Sequence, residues 1–502
     1  MTPIRSSGII LHPAALPGRG TIGTLGAAAR RFVDWLVIGK QTLWQILPLT
    51  PTSYDGCPYN AHSVFAGNPW LIDPDDLVSE GFLTDAAPYR WEGGEQRRVD
   101  YDCARDVSAV LLRAAFEHFQ RERVHFDEFA AFRTTHAYWL GDYALYAAMR
   151  DRFGTTDWSK WPSEYRERRP AAIARFTQEA ADDILFHQFV QFLFHRQWES
   201  LKRYANERGV RIIGDMPMFV SYESSDVWAH QDLFLLRNGE PTYVAGVPPD
   251  YFSPTGQLWG NPLYDWKRME EDGFSWWHHR FMRAFGMYDF VRLDHFRGFA
   301  ACWAVPAGEQ TAVNGKWRKT PGRKLFETLR NRLGDLPVIA EDLGVISDDV
   351  IKLREEFDFP GMKVLQFAFS SPANEFFPHN YTSSNCVVYT GTHDNDTVMG
   401  WYQSLYEHDR REVNRYLALR WGDSPAWALI RLAYGSIAKF AITTLQDVLG
   451  MGSDARYNTP GTVGHHNWTF RFTYDDIRDE TAWGLAELSW LYNRNNSEQR
   501  SE

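Results

Sequence analysis

Four acidic side chains close apolar runs in this 502-residue chain. They are Asp215 in "VRIIGDMPMFV" (210–220), Asp294 in "DFVRLDHF" (289–296), Glu341 in "LPVIAEDL" (336–343) and Asp394 in "NCVVYTGTHD" (385–394). Surface acids have no reason to gather where apolar segments stop. A ring of carboxylates there has the parts of glycosidic-bond chemistry: an ionised group, a protonated one, and supporting anions for a cationic transition state. Environment separates the roles. Residues two apart share a strand face, so Arg292 lies beside Asp294, and the guanidinium favours the ionised carboxylate of a nucleophile. A buried structural ion pair is the alternative reading of this "RLD". Glu341 follows "PVIA" with no basic residue close by, so burial would raise its pKa and suit it to general acid work. Glu341 and Asp342 point to opposite strand faces, and periodicity leaves open which of them looks inward.

Eight apolar runs are available to position these groups: the four above together with "GIILHP" (8–13), "LWQILPLTP" (43–51), "MKVLQFAF" (362–369) and "FAITTLQDVLG" (440–450). Continuous apolar runs of this length suit parallel strands covered on both faces. Helical patterns fill several gaps. "PGRKLFETLRNRLG" (321–334) opens on Pro and closes on Gly, and "SDDVIKLREEF" (347–357) opens on a Ser cap and two acids. The alternation predicts an α/β protein, a (β/α)8 barrel, in which reactive groups collect at the C-terminal ends of the strands. "SSPANEFFPHNYTSSN" (370–385) breaks the pattern, with no helical periodicity. Residues 1–502 therefore read as one catalytic barrel domain with two excursions. A helical insertion occupies 60–205 between strands two and three and includes "ARDVSAVLLRAAFEHFQRER" (104–123). A second, 221–285, carries the Pro-, Gly- and aromatic-rich segment 245–264, expected to be an ordered lid loop.

Composition narrows the partners. A net charge of −11 disfavours nucleic acid, and no basic tract points to a membrane surface. Residues 1–17 lack signal-peptide features, and no apolar run approaches the ~20 residues of a membrane span. Four scattered cysteines without a CxxC fit a reduced, cytoplasmic setting. The 21 Trp and 23 Tyr fit either a large core or flat platforms for sugar rings. "THDND" (392–396) reads as a turn rather than a metal site, since no second His-rich motif accompanies it. His278–His279 and His465–His466 read as surface or loop residues. "GRGTIG" (18–23) matches a dinucleotide fingerprint. However, Pro13 and Pro17 separate it from its strand, and the ribose-binding acid is missing, so a structural glycine loop is the better reading.

Longer motifs then carry a resemblance that runs nearly end to end: "ILHPAALPG" (10–18), "PYNAHSVFAGNP" (58–69), "IIGDMPMFV" (212–220), "AGVPPDYFSPTGQLWGNPLY" (245–264), "VRLDHFRGF" (291–299), "AEDLGVI" (340–346), "KVLQFAF" (363–369) and "YTGTHDND" (389–396). The chain resembles glycoside hydrolase family 77, the 4-α-glucanotransferases or amylomaltases. The resemblance implies a retaining double displacement on α-1,4-glucans with no metal or organic cofactor. Malto-oligosaccharides and starch- or glycogen-derived glucans would be substrates, with glucose as an acceptor. Carried onto matching positions, it implies Asp294 as nucleophile, Glu341 as general acid/base and Asp394 as transition-state stabiliser. Tyr59, Asp215, Arg292, His295 and His393 would line the subsite of attack. Asp250 would belong to the lid, Gln257, Trp259 and Phe367 to donor or acceptor contacts, and Tyr54 and Tyr101 to a secondary glucan site. Tyr457, Phe470 and Asp454 depart from the family's usual Met, Trp and Glu in a segment expected near the glucan groove, and so bear on acceptor preference. The rival readings are an α-amylase-type retaining hydrolase and a non-catalytic glycan-binding barrel.

Overall fold

The computed structural model describes residues 5–495 apart from 19, 54, 91–96, 250–252 and 465. Each of the eight apolar runs contains one strand: β1 (Ser6–Ile10), β2 (Leu43–Gln45), β3 (Arg211–Met216), β4 (Phe290–Leu293), β5 (Val338–Ala340), β6 (Gly361–Val364), β7 (Cys386–Tyr389) and β8 (Phe440–Thr444). They pair in chain order, all parallel, and β8 closes on β1 with Ile10 opposite Thr444. This is a closed (β/α)8 barrel. The period of two sorts each strand. Ile10, Ile213, Ile339, Val387 and Ile442 fill the barrel interior, while Ile9, Ile212, Val291 and Val388 face the surrounding helices. Gly8 lets β1 approach β2 closely, since a Cβ there would stand 2.3 Å from the Leu43 carbonyl oxygen.

The flanking helices follow their sequence signals. One runs Gly322–Leu333 and stops at Gly334 with φ +78. Another, Asp348–Glu356, has Ser347 at its N-cap, but the hydroxyl donates to the Asp349 carboxylate instead of capping a backbone N–H. Between β6 and β7 the chain makes only 3-10 turns, Leu365–Ser370 and Pro378–Asn380. No helix among the described residues is long and apolar enough to cross a membrane.

The connection from β2 to β3 carries long helices, including Tyr101–Glu122, Ala137–Phe153 and Ala181–Glu207. Aromatic side chains pack between them, Phe119 stacking on Phe189 at 4.6 Å, in a core continuous with that around the barrel. The helices also position the site. Gln191 bonds both backbone groups of Gly67 (2.7 and 2.9 Å), and Gln197 does the same for Asp73 (2.7 and 3.0 Å). The Tyr59-bearing segment is thereby tied to a rigid helix.

Within the excursion after β3, the segment 245–264, expected as a loop, is in part sheet. Tyr243–Val247 and Gln257–Pro262 are antiparallel strands of a four-stranded sheet completed by Ala301–Pro306 and Lys316–Lys319. Among the described residues between them, 248–249 and 253–256 form no strand. Local pattern cannot reveal this sheet, because the second strand shows no alternation of buried and exposed residues, and one partner comes from beyond β4. His278 and His279 also differ from expectation: they lie half-buried on the helix Ser275–Met287. His466 is exposed, and His465 falls outside the described residues. The "GRGTIG" loop is a socket for Arg471, which donates to the carbonyls of Leu16 (3.0 Å), Gly18 (3.3 Å) and Gly20 (2.6 Å). Carbonyls converging on a cation are the reverse of a phosphate cradle.

Candidate active site

Strand register brings the carboxylates together. β3 sets Asp215 opposite Arg292, and β4 sets Leu293 opposite Ala340 of β5, so Asp294 and Glu341 follow on neighbouring strands. Adjacent strands lie about 4.8 Å apart, so the two side chains rise from neighbouring points on the rim. His295 adopts the left-handed conformation, φ +51, and its backbone N–H donates to Glu341 Oε2 at 2.7 Å. Leu343 N–H donates to the other oxygen at 3.0 Å. Tertiary structure also settles which acid faces inward. Glu341 shares the inward parity of Ile339, while Asp342, which also borders the groove, accepts from Arg354 (2.6 Å) and from Met362 N–H (2.7 Å).

Arg292 is the hub. Its Nη1 lies 2.8 Å from Asp215 Oδ2 and 3.0 Å from Asp294 Oδ1. Burial works against the guanidinium charge, but Asp215 and then Asp294 outweigh it and hold Arg292 protonated. Tyr59 donates to Asp215 at 2.6 Å, its phenol kept protonated mainly by burial. The Asp215 side chain is fully buried, so it braces Arg292 from behind and does not border the groove. Glu341 is pushed up to about 8, chiefly by burial; Arg292 pulls down and Asp294 pushes up. It therefore holds a proton at neutral pH. His295 is depressed to about 4 by burial and is a neutral imidazole.

Asp394 reaches the site from the loop after β7. Asn458 Nδ2 donates to its Oδ1 at 2.7 Å, and Arg456 donates to its carbonyl at 2.6 Å. The rest of "THDND" is a turn: Asn395 accepts from Thr392 N–H at 2.9 Å and Asp396 from Thr397 N–H at 2.8 Å. His393 stacks on Tyr59 at 5.2 Å.

These groups line a groove of about 2070 Å³ together with Gln257, Trp259 and Phe367. Trp259 stands edge-on to His295 at 4.8 Å and is 39% exposed; Phe367 is 42% exposed. Large aromatics left open on a groove wall suit the C–H faces of sugars. Three further lining residues are not expected from the sequence. Arg456 and Asn458 belong to "RYNTPG", a motif that stands out in sequence only for Tyr457, and Trp468 stands 5.8 Å from Tyr59. Their signal is a polar, Pro–Gly-punctuated segment just beyond the last strand.

Other expected positions fall elsewhere. Asp250 and Tyr54 lie outside the described residues. Tyr101 is half-buried and donates to the Trp468 carbonyl at 2.7 Å. Tyr457 and Phe470 are buried, ring to ring at 5.3 Å, and the Tyr457 hydroxyl accepts from His12 N–H at 3.2 Å. They pack beneath the groove and do not line it.

Comparison with known proteins gives a consistent answer. A glycoside hydrolase 77 family model, described as 4-alpha-glucanotransferase, matches residues 11–476. The chain is 47% identical to the 4-alpha-glucanotransferase of Synechocystis, covering 98% of each chain. It is 46% identical to that of Thermus thermophilus, covering 97% of this chain and 98% of that one. Among solved structures it is similar to an amylomaltase from Streptococcus agalactiae in complex with acarbose. The TM-score is 0.95 and the identity 38%, covering 98% of this chain and 100% of that one.

Proposed function

This chain belongs to glycoside hydrolase family 77, the 4-alpha-glucanotransferases, and we propose that its groove carries out that transfer through Asp294, Glu341 and Asp394. The observation that carries this reading is the Asp294–Glu341 pair. One member is ion-paired with Arg292 and the other is protonated by burial, at neighbouring positions on adjacent strands. In the first step an Asp294 oxygen attacks the anomeric carbon of the donor. The glycosidic C–O bond breaks, and its oxygen takes the proton of Glu341. Asp394, held by Asn458, bonds the sugar hydroxyls more tightly as the ring flattens. In the second step the 4-hydroxyl of an acceptor glucan gives its proton to Glu341 and attacks the same carbon, releasing Asp294. Two inversions restore the α linkage. Malto-oligosaccharides are the donors, starch- or glycogen-derived chains the longer substrates, and glucose the smallest acceptor. The free cysteines suit a reducing cytoplasm.

Transfer wins over hydrolysis if an acceptor sugar aligns its hydroxyl before water does. Trp259 and Phe367 are placed to do this, the first on the hairpin covering the groove. Replacing either by Ala should raise the ratio of hydrolysis to transfer by about 3- to 10-fold, at a cost of about 1 kcal/mol in acceptor alignment. Comparing reducing-end release with oligosaccharide redistribution measures it. An unchanged ratio removes these rings from water exclusion.

The pH profile tests Glu341. A group whose value is raised to about 8 is protonated below it, so the glycosylation rate should hold through neutrality and fall above about pH 8. A rate still rising at pH 9 would contradict Glu341 as the acid. The decisive assay of the whole reading is incubation with maltotriose. A ladder of longer and shorter glucans plus glucose is expected. A build-up of reducing ends would mean a hydrolase, and unchanged maltotriose a binding protein.

A further inference from the structure

The loop that carries Asp394 leaves β7 at Thr390 and re-enters regular structure at the helix Val398–Ser404. Both of its roots are held by one side chain. Asp447, on the short helix Leu445–Val448 just after β8, is 1% exposed. Its Oδ2 accepts from the Thr390 hydroxyl at 2.7 Å, and its Oδ1 accepts from Val398 N–H at 2.7 Å. Thr390 Oγ1 also meets Thr443 Oγ1 of β8 at 3.0 Å, and the Thr444 hydroxyl accepts from Asp447 N–H at 3.1 Å.

A carboxylate is a costly filler for such a place. No ion pair is formed by Asp447 among the described residues, and the charge nearest in influence is the like-charged Asp396. Burying a charge on hydrogen bonds alone is unfavourable for folding, where an apolar side chain would serve at lower cost. What a carboxylate offers here is two acceptors at fixed separation, one for each end of the loop. Other holds act in the middle: Arg456 on the Asp394 carbonyl (2.6 Å), Asn458 on its carboxylate (2.7 Å), Gln366 on the Asp396 carbonyl (2.9 Å) and Ser453 on the Asp396 carboxylate (2.7 Å).

We propose that Asp447 is a positioning residue for the transfer reaction, a two-point clamp that fixes where the Asp394 carboxylate stands across from Asp294. The proposal rests on the reading of Asp394 given above. A loop that loses this tie between its two roots moves its central side chain by about an ångström, enough to cost on the order of 10²-fold in rate. Binding, which is spread over the groove, is largely spared.

The test is kinetic and structural, on the full-length enzyme. Asp447→Ala should lower kcat for maltotriose by about 10²-fold and leave KM within about 3-fold. Asp447→Asn keeps an oxygen for Val398 N–H and presents an N–H to the Thr390 hydroxyl, so it should recover to within about 10-fold of the parent. A double-mutant cycle with Asp394→Ala, read on α-maltosyl fluoride so that slow variants stay measurable, should be non-additive: the double variant no slower than Asp394→Ala alone. Losses that multiply, an unchanged kcat, or an effect on KM alone would overturn the clamp. Should Asp394→Ala itself remain active, the reading of Asp394 fails instead. The clamp is then judged by the crystal structure of Asp447→Ala, where an unmoved 391–397 loop overturns it. If Asp447→Ala does not fold, Thr390→Val removes one arm and should cost about 10-fold in kcat; a Thr390→Val enzyme with parental kcat overturns the clamp as well.

Discussion

Asp294→Asn should abolish disproportionation of maltotriose, lowering kcat by about 10⁴-fold or more, which is at least ~5 kcal/mol of transition-state stabilisation. The amide keeps the shape of the side chain but cannot form the glycosyl ester. Its cost to the fold should be small for a specific reason. Arg292, the buried cation beside it, keeps both contacts to Asp215 (2.9 and 2.8 Å), so no guanidinium is orphaned. Asp294 is itself partly open to the groove. Circular dichroism and a thermal melt should therefore match the parent within a few degrees. A purified variant with near-normal turnover would remove Asp294 from the role of nucleophile. Removing Asp215 is a different matter. It would leave a buried Arg292 with one partner, and the damage would appear first as lost stability.

Glu341→Gln separates the two chemical steps. With maltotriose as donor, the loss should be about 10³-fold, the usual range for a missing general acid. With α-maltosyl fluoride the first step should largely return, because fluoride leaves without a proton. The second step then has no base to take the acceptor's proton, so the maltosyl ester on Asp294 should accumulate and be seen in the intact mass. Peptide mapping should place the adduct on the segment containing residue 294. A normal rate on maltotriose, or an adduct on another carboxylate, would sink the assignment. The variant carries one local cost. Both Glu341 oxygens accept backbone N–H groups, and an amide can offer only one acceptor. A modest fall in melting temperature is therefore expected and does not bear on the mechanism.

Parts of this site are legible in the amino-acid order, and parts are not. Arg292 and Asp294 are readable as neighbours because a period of two is local, as is the burial of Glu341 behind "PVIA". The face chosen by Glu341 rather than Asp342 is not, since either parity satisfies the same string of letters. It is decided by Ile339, which is inside the barrel and carries Glu341 with it, and by Arg354, which claims Asp342. The hairpin over the groove reads as loop in the sequence because its first strand is held by residues 301–306, on the far side of β4. Tyr457 and Phe470, expected beside the glucan, lie under it, buried ring against ring, with the Tyr457 hydroxyl taken up by His12 N–H from the loop after β1.

What the amino-acid order determined by itself is the set of eight strands, their parallel succession and the acids at their ends. Each of these is written in a run of consecutive residues: an apolar stretch long enough to be buried on both faces, in four cases closed by a carboxylate. Only the tertiary structure decided how those ends converge. The pairing of β8 with β7 brings Asn458 to Asp394 across 64 residues and Asp447 to Thr390 across 57. The physical reason is that side-chain periodicity reports which way a residue points along its own strand. The hydrogen bonds that aim Asp394 join separate loops, which share no pattern until the barrel shuts.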